Sequence, residues 1–264
     1  MKKGQKLWTI NELALTLNLY SKLEFGKMHS RNPAVIDLGR LINRTPGSVA
    51  FKLVNFASLD PVLKKRGITG AKNTGSLDRQ IWDEFKNNWD TKFEESEQAL
   101  IKLKHTSLDK LYNIDVSDIN VAGKEKVRLI KTRVNQYRFR QMVLANYNNT
   151  CCITGLQQPQ LLIASHITEW SKFENNRLNP MNGLCLNALH DKAFDNLLIT
   201  ISAENYKIII STELKKLKTQ STQKYFLQYE GKEIILPKKF IPGNDFLKIH
   251  NDSFYSKFEN KLLL

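Results

Sequence analysis

The sequence predicts an α+β protein built from two unlike parts, and three observations predict it. Apolar residues recur at helical spacing through positions 7–89, giving way after position 150 to short aliphatic runs separated by turns. A charged, irregular stretch from Lys92 to about Arg128 separates the two patterns. A chain of 264 residues is also long enough for about two domains.

The first helix opens on Thr9-Ile-Asn-Glu12, a capping box in which hydroxyl and carboxylate each satisfy an early amide, and continues through Leu13 to Tyr20. After a polar break, Val35, Leu38 and Leu41 mark a second helix over 34–42. Thr45 then caps a third that begins at Pro46, where Val49, Leu53 and Phe56 face the core. Ser48, Lys52 and Asn55 form a polar stripe beside them, the kind that presents side chains to a major groove. The basic, glycine-containing run 64–75 reads as a loop, and Trp82, Phe85 and Trp89 share one face of a further helix. The turn Ala122-Gly-Lys124 lies in the charged stretch, and Lys131 to Tyr147 reads as an amphipathic helix.

Beyond it, Thr150–Leu156 and Gln160–Ile167 read as the two arms of a hairpin. A polar loop runs to Asn182, Gly183–Leu186 is a short strand, Asn187 caps a helix through about Asp195, and Leu197–Ser202 is strand-like. The expected organisation is a helical domain over 1–95, a linker over 96–130 and a second domain over 131–264.

Composition narrows the function. No apolar run approaches the roughly 20 residues that span a bilayer, which argues against a membrane protein. The basic N-terminus lacks the apolar stretch of a signal peptide, so the expectation is a cytoplasmic protein. Three cysteines, Cys151, Cys152 and Cys185, contain no CxxC pair, and neither a disulfide framework nor a structural zinc site is expected. Forty Lys and Arg against 26 Asp and Glu give a net charge of +14, which favours a polyanionic partner.

The chemistry concentrates in Cys152-Ile-Thr-Gly, Leu162-Ile-Ala-Ser-His166-Ile and Asn179-Pro-Met-Asn182-Gly-Leu-Cys-Leu-Asn187-Ala-Leu-His190-Asp-Lys-Ala-Phe194-Asp195. Phosphodiester hydrolysis needs a base for water and a cation for the developing charge, and an imidazole at a strand end facing a helix could supply the setting. This stretch resembles the HNH (ββα-metal) nuclease family, and within it the restriction-type branch, over roughly 133–202. The resemblance implies a metal-dependent endonuclease acting on double-stranded DNA. It implies His166 as the base, Asn182 as the asparagine that orients it, and His190 as a ligand for Mg²⁺ or Mn²⁺. Ser165 stands where many members carry a further ligand, so Asp195 is taken to complete the site, although it lies five positions after His190.

Upstream, Arg133-Val-Asn-Gln136-Tyr-Arg138-Phe139-Arg140 resembles the helix that often precedes such a core, implying that Phe139 packs while the arginines, Arg133, Arg138 and Arg140, face phosphate, with Gln136 as a further DNA contact. Downstream, 236–242 and 246–250 resemble a C-terminal extension of that branch, read as a clasp over the core. The N-terminal helices bear a likeness to Myb/SANT-type DNA readers, which adds Arg44, Ser48, Lys52 and Asn55 as DNA contacts. One base and one metal cut one strand, so a homodimer is expected for a double-strand break. Restriction or defence against foreign DNA is the expected role. The rival readings are a DNA-binding regulator with a degenerate core and an RNA-directed nuclease.

Overall fold

The computed structural model describes residues 6–65, 67, 74–168 and 176–259. The expected loop at 64–75 and the polar loop before Asn182 therefore lie partly outside the described residues.

The N-terminal half is helical: α1 (Ile10–Lys22), α2 (Pro33–Leu41), α3 (Pro46–Leu59), α4 (Pro61–Lys65), α5 (Ser76–Asn87), α6 (Trp89–Lys104) and α7 (Leu108–Leu111). The expected caps form. Thr9 accepts from the amide of Glu12 while Glu12 returns to Thr9, and Thr45 accepts from the amide of Ser48. Leu13, Leu17 and Tyr20 of α1, Val49, Leu53 and Phe56 of α3, and Trp82 and Phe85 of α5 fill one core.

Next comes α8 (Gly123–Asn146), followed by β1 (Leu162–His166), β2 (Gly183–Asn187), α9 (Ala188–Asp195), β3 (Ile199–Ile201), β4 (Ile208–Ile210), α10 (Thr212–Lys216), α11 (Gln220–Tyr225) and α12 (Asn244–Glu259). β1 and β2 pair antiparallel, with His166 opposite Gly183 and Leu162 opposite Asn187. β3 and β4 form a second small sheet. None of the described helices is long and apolar enough to cross a membrane.

Three local expectations are corrected. Thr150–Leu156 is not a strand; residues 152–154 make a turn, and β1 finds its partner in β2, some 20 residues on, as the register shows. The stretch expected to be a linker is largely ordered helix, because α6 continues to Lys104 and α8 starts at Gly123, whose φ of +62° suits a glycine at that entry. The C-terminal extension does more than cover the nuclease-like core. Phe240 stacks on Trp82 at 6.0 Å and meets Trp89 at 5.1 Å, and the buried Lys239 ammonium donates to the carbonyls of Tyr20 and Leu23 at the end of α1.

The two halves are joined by charge as well as by apolar contact. Glu97 of α6 is fully buried and pairs with Lys22 of α1 and with Arg138 of α8 at 3.1 Å; Arg138, itself fully buried, also reaches Glu94 at 2.8 Å. Burial pushes the Glu97 carboxyl up, but Lys22 and Arg138 outweigh it and hold the pKa at about 2. Removing one partner of such a cluster leaves the others charged in a dry setting, at a cost of roughly 3–5 kcal/mol. Glu97→Ala is therefore expected to lower unfolding free energy by about that amount, a loss readable in urea titration; an unchanged midpoint would mean the cluster contributes nothing.

Candidate active site

His166 ends β1, and a ring and a carbonyl help define its place. The imidazole lies flat on the ring of Phe139 from α8, with centroids 3.6 Å apart and planes within 8°. Its Nε2 is 3.0 Å from the carbonyl oxygen of Arg177. A carbonyl only accepts, so Nε2 carries the proton and the lone pair of the neutral ring sits on Nδ1. Burial lowers the pKa of this histidine, offset in part by the Arg177 bond, and so favours the neutral form that a base requires.

The strand opposite has no room to spare. A Cβ on Gly183 would fall 2.5 Å from Val143 and 2.9 Å from Phe139, so glycine lets β2 approach α8 and keeps Phe139 against His166. Asn182 is buried and works on the turn after the strand: its Oδ1 accepts from the amide and hydroxyl of Thr168 at 3.0 and 3.1 Å, and its Nδ2 donates to the carbonyl of Asn176 at 3.3 Å. Its backbone carbonyl accepts from Ile167 at 3.0 Å. Among these contacts none goes to the imidazole, and Asn182 reaches His166 by fixing the backbone on both sides of the loop.

His190 is placed differently from the expectation of a metal ligand. Asn187 caps α9 through the amide of His190, and the same Oδ1 lies 2.9 Å from Nδ1 of the ring. Nε2 is 2.9 Å from the carbonyl of Tyr225 at the end of α11, and Phe226 and Tyr229 pack on the buried ring. Each ring nitrogen has a protein oxygen at 2.9 Å, so both are already occupied by neighbours within the fold. The ring ties α11 to the start of α9.

Carboxylates occupy the same helix. Asp191 and Asp195 are four positions apart and share a face, which a five-residue separation from His190 does not allow. Burial raises the pKa of both, and the charge of Asp191 raises that of Asp195 further. The nearby Ser165 hydroxyl favours the ionised form of Asp191, yet its oxygen is buried with no partner at hydrogen-bonding distance. Among the described residues no three His, Cys, Asp or Glu side chains converge as a metal-ligating group. The helical spacing of Asp191 and Asp195 was available in the sequence.

The expected DNA contacts are mostly turned inward. The Lys52 ammonium binds both oxygens of Asp78 at 2.7 and 2.8 Å, and the buried Asn55 donates to the same carboxylate at 2.9 Å. Arg44 holds Glu12 at 2.8 Å and lies over Trp8, while Ser48 is only half-exposed at the first turn of α3. The stripe read from α3 is thus closed off by α5, which delivers Asp78. Arg133 pairs with Asp118 at 2.6 Å, Arg140 donates to the carbonyls of Leu162 and Pro159 at the entrance to β1, and Arg138, expected to face phosphate, is instead buried against Glu94 and Glu97. Gln136 is exposed, and Phe139 packs as expected. The three cysteines are buried free thiols.

Comparison with known families places this geometry. Residues 151–202 match the family described as HNH endonuclease. By that match the segment is similar to HNH nuclease domains. No curated protein matches the chain significantly. The matched span holds both strands of the first sheet, α9, β3 and every residue just described around His166 except Phe139 and Val143 of α8. It supports a nuclease-type hydrolase with DNA as substrate.

A third histidine braces the HNH domain from outside. His250 of α12 stacks on Phe194 at 3.7 Å, meets the Thr200 hydroxyl through Nδ1 at 2.7 Å and donates from Nε2 to the carbonyl of Phe194. Burial lowers its pKa from 6.5 to about 4. The unfolded chain therefore binds the extra proton between those values, and stability contributed by the neutral ring is intact above 6.5 and is lost as pH falls towards 4. Urea midpoints measured across that window should fall with acidity, and His250→Gln should flatten the slope; an equal slope in both proteins would exclude His250 as its source.

Proposed function

We propose that the chain is a metal-dependent DNA endonuclease in which His166 is the general base. The observation that carries the reading is the imidazole at the end of β1, kept neutral by burial and fixed between Phe139 and the Arg177 carbonyl inside the HNH segment. Nδ1 takes a proton from water as the water oxygen bonds to phosphorus and the bond to the 3′ oxygen breaks. Asn182 holds Thr168, two residues after the base, and Phe139 excludes water from one face of the ring.

The donors on α9 suit a hard cation. Two carboxylates, Asp191 and Asp195, beside the partnerless Ser165 hydroxyl fit Mg²⁺ or Mn²⁺, which bind through one or two carboxylates and retain water; they do not fit structural zinc. Such an ion would stabilise charge on the phosphoryl and leaving oxygens. Asp195 remains the ligand expected from the sequence, and Asp191 replaces His190 as its companion.

Because such a unit cuts one strand, two copies in a homodimer would be needed for a double-strand break. The net charge of +14 supports a nucleic-acid partner. Restriction or another defence against foreign DNA, in the cytoplasm, is the role we assign, and the helical half is read as the part that selects DNA. Sequencing the products formed on plain and methylated genomic DNA tests that assignment: recurrent sites support it, and random ends overturn it.

Supercoiled plasmid incubated with and without Mg²⁺ or Mn²⁺ tests the activity itself. His166→Ala should lower nicking by roughly 10²–10⁴-fold, the worth of a positioned base, with gel retardation of DNA unchanged. Nicking by that variant at the parental rate would remove His166 as base, and retardation without metal-dependent nicking by the parent would identify a DNA binder. A separate expectation concerns the cation: Asp195→Asn should raise the Mg²⁺ concentration giving half-maximal nicking, whereas His190→Gln should leave it in place and lower the thermal midpoint.

A further inference from the structure

The Arg177 carbonyl that orients His166 is itself held from the other half of the molecule. Asp90, in the first turn of α6, accepts from the amide of Arg177 through Oδ2 at 2.9 Å and from the amide of Leu178 through Oδ1 at 3.0 Å. The carbonyl of Arg177 and the amide of Leu178 belong to one planar, trans peptide unit, whose C=O and N–H point in opposite directions. One edge of that rigid plane is bound by the Asp90 carboxylate, and the other meets Nε2 of His166 at 3.0 Å.

We infer that Asp90 is a positioning residue for the base: through the Arg177–Leu178 peptide it aims the carbonyl that holds His166 in the Nε2–H tautomer. The inference rests on the reading of His166 as base only for its consequence in catalysis. Two physical effects support it. Paired bonds to successive amides fix the plane against rotation, which a single bond would not do. A negative charge on the N–H side also polarises the peptide and strengthens its carbonyl as an acceptor, because hydrogen bonds in series reinforce one another at low dielectric. Leu178 is buried and Asp90 is only partly exposed. The contact makes the HNH domain depend on a helix outside the matched segment.

The test uses the full chain and two readouts. Ring ¹⁵N shifts of His166, assigned with His166→Gln and recorded above the histidine titration range, report the tautomer directly and do not require cleavage. The parent should show Nε2–H. Asp90→Asn, which sets an amide group against one of the two backbone amides, should give a mixture of tautomers. Nicking kcat should fall by about 10–100-fold, the usual loss when an outer partner of a functional side chain is removed, with KM unchanged. Asp90→Ala should act in the same direction, and circular dichroism identifies either variant that fails to fold, leaving the other to carry the test. A His166 ring signal unaltered in the folded variants overturns the proposal. A tautomer change with undiminished nicking supports the positioning of the ring and overturns the assignment of His166 as base.

Discussion

The buried pairing of Glu97 with Arg138 is the constraint on which the arrangement of the site depends. Arg138 and Phe139 are neighbours on α8, so their side chains leave the helix about 100° apart. One is locked into the helical half by Glu94 and Glu97, and the other lies against His166. Fixing the rotation of α8 through the arginine therefore fixes the surface on which the imidazole rests. Buried ion pairs seldom add much net stability over apolar packing, but a fully paired cluster admits few alternative registers, because each slip would strand a charge.

The same logic recurs at smaller scale around the strand end. Asn182 secures Thr168 and Asn176, and Asp90 secures Arg177 and Leu178, whose shared peptide carries the carbonyl that meets His166. Polar side chains, each satisfied by backbone amides or carbonyls, hold the loop, while β1 and β2 supply the rigid platform. An active site built this way needs the helical half for its geometry, independently of what that half does with DNA.

Histidines in this chain divide by what their nitrogens face. His166 donates from Nε2 and keeps a lone pair on Nδ1, His250 is satisfied by a hydroxyl and a carbonyl, and His190 faces oxygen on both sides. Identical residue types thus serve as candidate base, brace and tie, and it is their partners that separate them. Three residues of the DNA-contact set divide similarly: Lys52 and Asn55 share Asp78, and Arg44 serves Glu12, so much of the basic surface read from α3 is already spent inside the fold.

Local grammar was legible because its causes are local. The Thr9–Glu12 capping box, Pro46 at a helix start, the core face of α3, the Asn187 cap and the strand carrying His166 all follow from neighbours within a few residues, and the spacing of His166, Asn182 and the α9 segment marked the HNH region. Other features depended on residues distant in the chain. The partner of β1 lies across a long loop, Asp78 meets Asn55 from 23 positions away, Glu97 meets Arg138 across 41, and Asp90 meets Leu178 across 88. No periodicity encodes such meetings, because they are settled by how whole elements pack and by the cost of leaving any buried charge or amide without a partner.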